Sequence, residues 1–140
     1  RYLSRISGPL LDRIDIQVEI MPVPFQELQS MNPGEPSSAI RERVNKARAI
    51  QADRFSSDPS IHCNAQMTPR HIAAHARPVP EALAILETAM TRFDMSARAD
   101  DRILKVARTI ADLAGDERIG TTQIAEAIGY RSLDRESWGR

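Results

Sequence analysis

A mainly α fold, a helical bundle preceded by one β-strand, is predicted for this 140-residue chain by three observations. One short segment alternates apolar and polar residues with period two. A proline-rich stretch follows it. From there to the end, apolar residues recur at helical spacing between recognisable start and stop signals.

The strand is expected over residues 14–21, Ile-Asp-Ile-Gln-Val-Glu-Ile-Met, with Ile14, Ile16, Val18 and Ile20 on one face. No second strand of comparable quality follows, so a sheet partner is expected upstream, in a longer chain. Residues 22–36 carry Pro22, Pro24, Pro33, Gly34 and Pro36 and are read as a linker. A cap near Ser37 and Ser38 should open a helix with Ile40, Val44, Ala47 and Ile50, ending about Phe55. The stretch "SSDPSIHCNAQM" is expected to be a loop. Thr68 before Pro69 signals a short helix to about Ala76, with Thr as cap and Pro in the first turn. Pro78 and Pro80 open another, striped by Leu83, Leu86, Met90 and Phe93. Ser96 caps the next, with Asp100 and Asp101 early in the helix where carboxylates suit its dipole. Its apolar face is read as Ile103, Val106, Ala107, Ile110 and Leu113, and Gly115 should end it. A last helix starts near Thr121, carries Ile124, Ala127 and Ile128, and stops at Gly129. Each helix has one apolar stripe, so the helices must pack on one another.

Composition narrows the function classes. The formal net charge is zero and the pI about 7.0, so bulk charge argues for neither nucleic acid nor an anionic membrane. The basic residues are 17 Arg and 2 Lys, a skew that suits forked recognition of phosphate or carboxylate and equally follows from genomic base composition. The single Cys63 excludes an intramolecular disulfide. No apolar run approaches the ~18 residues needed to span a bilayer. The chain begins Arg-Tyr-Leu-Ser-Arg, without Met or a hydrophobic leader, and is expected to be part of a longer, cytoplasmic protein.

The candidate chemistry is sparse. His71 and His75 stand at i and i+4 on one helix, the spacing of two metal ligands, with His62 and Cys63 nearby. Ile72 occupies the place where a metalloprotease helix carries its general-base Glu. Cys63 has no suitably spaced partners for a nucleophile's triad. None of the glycines sits in a phosphate-binding loop, so the chain alone should neither bind nor hydrolyse a nucleotide. The last two helices are spaced for a helix-turn-helix. The second opens with Thr121, Thr122 and Gln123, too little positive charge to hold DNA phosphates, so two packed bundle helices are the expected reading.

One stretch is left: "RYLSRISGPLLDRIDI", with Arg13 between Asp12 and Asp15. From the residues alone, a local ion pair with those acids accounts for Arg13. The stretch resembles the one that precedes the last core strand in AAA+ ATPases of the magnesium-chelatase-like branch. It is most similar to the competence-protein ComM (YifB) family. Three further stretches fit that family in order: "AIRERVNKARAIQADRF", "MSARADDRILKVARTIADLAG" and "AEAIGYRSLDR". Asp100 and Asp101 depart from its pattern, replacing an aromatic residue and a His.

The resemblance implies a division into the end of the AAA+ core (1–21), the linker (22–36), a helical lid (37–135) and a tail (136–140). It implies that Arg13 is an arginine finger reaching the γ-phosphate held by a neighbouring subunit. Arg98, at the start of a lid helix, would be the sensor-2 residue, with Arg102 the competing candidate for nucleotide binding. ATP and Mg²⁺ are implied as cofactors of the intact protein and none for the piece itself. The intact protein would be a homo-oligomer, a hexamer, acting on DNA in branch migration and away from membranes. Two other readings stay open: a helical interaction module whose arginines form surface pairs, and a metal-binding helical domain resting on His71 and His75.

Overall fold

The computed structural model describes residues 10, 13–25 and 34–131. Among them, five α-helices form the fold: α1 (Ser37–Arg54), α2 (Pro69–His75), α3 (Pro80–Arg92), α4 (Ala97–Ala114) and α5 (Thr121–Gly129). A short 3₁₀ turn, Asn64–Gln66, lies between α1 and α2. Residues 1–9, 11–12, 26–33 and 132–140 lie outside the described residues. So do parts of the expected core end and linker, and the tail.

The helix ends stand where local chemistry puts them. Ser96 caps α4, its Oγ accepting the Ala99 N–H at 3.3 Å. Gly115 ends it in the left-handed conformation, φ 79°, with Asp116 N–H closing on the Ala111 carbonyl at 2.8 Å. Pro69 and Pro80 occupy first-turn positions of α2 and α3, where their missing N–H costs nothing. In α1 the expected serine cap is absent. Pro36 precedes the first turn, and no side chain caps it.

α4 is the central element, packed against α1, α2, α5 and the 3₁₀ turn, while α3 packs on α5. Core residues Ile103, Ala107 and Ala111 of α4 meet Leu86 of α3 and Ile124 and Ala127 of α5. The alanines let the helix axes approach closely, so the larger isoleucines fill the space between them. The segment before α3 and the loop before α5 are joined by a parallel bridge, Pro78 with Ile119, with Val79 N–H on the Ile119 carbonyl at 2.9 Å.

The expected strand over 14–21 is not one. No β-ladder forms in the described part of that segment. Its apolar face is turned outward: Ile14, Ile16, Val18 and Ile20 are 40, 52, 66 and 87 % exposed, while Gln17 is buried. The physical reason is that the described residues offer no strand to pair with. The segment instead lies on the helices by its polar side, Gln17 N–H donating to the Tyr130 carbonyl at 2.8 Å.

The expected face of α1 is corrected as well. Ala47 and Gln51 are buried against the rest of the domain, whereas Ile40, Val44 and Ile50 lie off that face and are exposed. On α4 the buried set includes Arg108 and Asp112, and Leu113 is exposed.

Candidate functional site

The segment carrying Arg13 is fixed to the helical domain at three points. Arg131, itself buried, donates from Nη1 to the Ile14 carbonyl at 3.0 Å. Gln17 bonds to Tyr130 as described above. The Asp15 carboxylate is in an ion pair with Arg102 of α4. Arg13 lies in a tight turn, its N–H on the Leu10 carbonyl at 3.0 Å, and its side chain is exposed. Among the described residues, no hydrogen bond or ion pair engages that side chain. Asp15 is committed to Arg102, so of the two flanking acids only Asp12, outside the described residues, remains for the local pairing.

Arg98 stands in the first turn of α4, exposed, and also has no ion pair among the described residues. A cation there opposes the helix dipole, so an anionic ligand would find both the guanidinium and the helix end favourable. Burial and the charge of Asp101 push the Asp100 carboxyl above the usual range. Arg102 follows Arg98 by one turn. Its guanidinium is taken by Asp15, and its buried Nε has no hydrogen-bond partner among the described residues. Of these two arginines, Arg98 has no ion pair among the described residues and Arg102 is paired with Asp15. A cleft of about 280 Å³ beneath Ile16, lined by Val106, Ile110, Leu113 and Tyr130, includes none of the three arginines.

The paired histidines form a packing cluster. Their rings lie nearly parallel, 6.5 Å apart, and both present to Phe55 edge-on. His71 Nδ1 meets the Thr68 hydroxyl at 2.7 Å, and its Nε2 faces Asp58 Oδ2 at 3.3 Å, so both ring nitrogens are engaged. Burial, then the charges of Arg54, His71 and Arg108, lower the His75 pKa. Among the described residues no group of three or more His, Cys, Asp and Glu side chains is placed to hold a metal ion.

Sequence reasoning missed a buried polar network between α1, the 3₁₀ turn and α4. Arg54 grips both Asp112 carboxylate oxygens, at 2.7 and 2.5 Å, and donates to Asn64 Oδ1 at 2.8 Å. Asn64 Nδ2 donates to Asp112 at 2.8 Å, and its backbone N–H to Gln51 Oε1 at 3.0 Å. Arg108 adds a bond from Nε to Asp112 at 3.1 Å and caps the carbonyls of Asp116 and Glu117. Burial alone would raise the Asp112 pKa, but bonds from Arg54 and Asn64 and the Arg108 charge hold it below the ordinary value. The one legible signal was the i, i+4 spacing of Arg108 and Asp112. The same network fixes the α4–α5 connection, and Gln123 is spent on it, bonding Asp116 at 2.7 Å and the Gly120 N–H at 3.0 Å. Gln123 is therefore built into the bundle, while Thr121 and Thr122 at the start of α5 are exposed.

Known proteins bear on this arrangement. The family described as magnesium chelatase, subunit ChlI C-terminal, matches residues 34–131, and that of magnesium chelatase, subunit ChlI, matches residues 1–28. The competence protein ComM of Haemophilus influenzae is 40 % identical over 96 % of this chain. The uncharacterized protein YifB of Escherichia coli is 38 % identical over 96 %, and the uncharacterized protein Mb2921c of Mycobacterium bovis 36 % over 94 %. In each case the matched region is 26 % of the relative, so this chain spans about a quarter of their length. With five packed helices across the matched region and similarity to ComM and YifB, the chain belongs to the magnesium chelatase ChlI C-terminal family.

Proposed function

We propose that this chain is the lid and finger-bearing end of an AAA+ ATPase, with Arg13 acting on nucleotide held by a neighbouring subunit and Arg98 as the sensor-2 residue. The observation that carries the reading is the placement of Arg13. It is exposed on a turn that is held down on both sides of Asp15, while Asp15 itself is neutralised by Arg102. An always-charged donor fork held in that way suits the charge that develops on a transferring phosphoryl group. Arg98 fits the same ligand class, because a phosphate would compensate a cation otherwise misplaced at a helix N-terminus. Neither arginine makes a nucleotide cradle. ATP and Mg²⁺ would be held by the Walker elements of the longer protein, and the described residues would not hydrolyse ATP alone.

In this reading the intact protein is a ring-shaped homo-oligomer, a hexamer, that couples ATP hydrolysis to movement of DNA in branch migration during recombination. Rotation of the lid between nucleotide states would transmit the motion. The similarity to a competence protein supports a role in handling DNA.

The test is ATP turnover by the full-length protein, wild type against Arg13→Ala and against mixtures of the two. The expected loss is about a thousandfold or more, as for other trans-acting arginines. Mixtures should fall off the line of simple proportion, since each site would then depend on its neighbour. An Arg13→Ala protein that assembles and turns over ATP normally would leave the interaction-module reading.

A further inference from the structure

Resting on the reading of Arg13 as a trans-acting finger, we infer that Arg102 and Asp15 form a positioning pair that ties the finger's turn to α4. Arg102 was a candidate for binding nucleotide, but its guanidinium is on Asp15, across 87 residues of sequence and two positions from Arg13. Arg98 lies four residues before Arg102 on the same face of α4. One helix therefore carries the sensor candidate and grips the base of the finger. The grip is reinforced where the segment continues, by Arg131 on the Ile14 carbonyl and by Tyr130 on Gln17.

Stability does not account for the pair. Asp15 is half exposed, and ion pairs of that kind contribute little to folding. The buried Nε of Arg102, with no partner among the described residues, makes it less favourable still. What the pair does is set distance and direction. A finger must reach a phosphoryl group to within a fraction of an ångström, and a small displacement of its base is felt as lost rate and not as lost binding. A lid that turns with its own subunit's nucleotide would carry the Arg13 turn with it, so that one subunit's state reaches its neighbour's site through Asp15 and Arg102.

The experiment uses the full-length protein and compares Arg102→Asp, Asp15→Arg and the exchanged double variant, with Arg13→Ala alongside. The expected result is a fall in kcat of about tenfold for each single exchange, with KM for ATP unchanged, and recovery in the double variant to within about threefold of wild type. Circular-dichroism melting and sedimentation of each variant report folding and assembly. A merely structural role would show as a lowered melting temperature without rescue of kcat, and would overturn the inference. If Arg102→Asp raises KM for ATP and the double variant does not recover, Arg102 contacts nucleotide and the inference is wrong. Should both single variants keep their kcat while Arg13→Ala loses it, the finger stands and the positioning pair falls. Normal turnover by Arg13→Ala removes the finger, and the pair's role with it.

Discussion

Asp112 shows how far a single side chain can organise this domain. Its carboxylate is fully buried and receives Arg54 from α1, Asn64 from the 3₁₀ turn and Arg108 from its own helix. Two cations share one anion, so removing the anion strands both in a low-dielectric setting. Asp112→Asn keeps the shape and removes the charge, and is expected to cost about 3–5 kcal/mol in urea unfolding at pH 7. The pH dependence has a definite sign. Asp112 has a folded pKa below its unfolded one, so its contribution is complete above the unfolded value and is lost as pH falls through the folded one. The wild-type protein should therefore lose stability below about pH 4 more steeply than Asp112→Asn, measured as unfolding midpoint against pH. Of this, only the i, i+4 spacing of Arg108 and Asp112 was legible in the sequence. A polar residue on a helix carries no mark of whether a distant Arg will bury it, and Arg54 and Asp112 are 58 residues apart.

At the scale of elements, what could be read from sequence was what local chemistry decides. Ser96, Gly115, Thr68–Pro69 and Pro80 each act on their own backbone, and the helices begin and end beside them. The faces were less legible, because a face depends on what arrives opposite. On α1 the Ile40 and Val44 pair looked like core, yet nothing among the described residues covers it, while small Ala47 and polar Gln51 are buried. On α4, close helix approach selects Ala107 and Ala111 over the larger Leu113. Gly115 offers a clean test of the local part. Its φ is 79°, and a Cβ built there would meet no heavy atom within 4 Å. The cost of Gly115→Ala is thus confined to backbone conformation, about 1–2 kcal/mol. Asn tolerates the left-handed region better, so Gly115→Asn should cost less than Gly115→Ala. Thermal unfolding of the two variants checks the order.

At the scale of the whole molecule, residues 14–20 would join this helical domain to the core of the proposed ATPase; the relatives it matches are about four times as long as this chain. The alternation was visible at once, and its meaning was not, because a strand is defined by a partner. Here the polar side of the segment rests on the helices through Gln17. The apolar side is left bare, with exposure rising from Ile14 to Ile20 as the distance from the Arg131 and Tyr130 anchors grows. In the proposed ATPase that side belongs against the core sheet, and the period-two pattern is what a sheet edge requires. Hydrogen exchange separates the two situations. In the isolated 140-residue chain the amide of Gln17, bonded to Tyr130, is expected to exchange more slowly than those of Val18, Glu19 and Ile20. In the full-length protein these outer amides should become protected as well, since ladder hydrogen bonds then replace water. Rapid exchange at Val18–Ile20 in both forms would show that the segment is a tether to the lid and no part of the sheet. The Arg13 turn would then be positioned by the lid contacts alone.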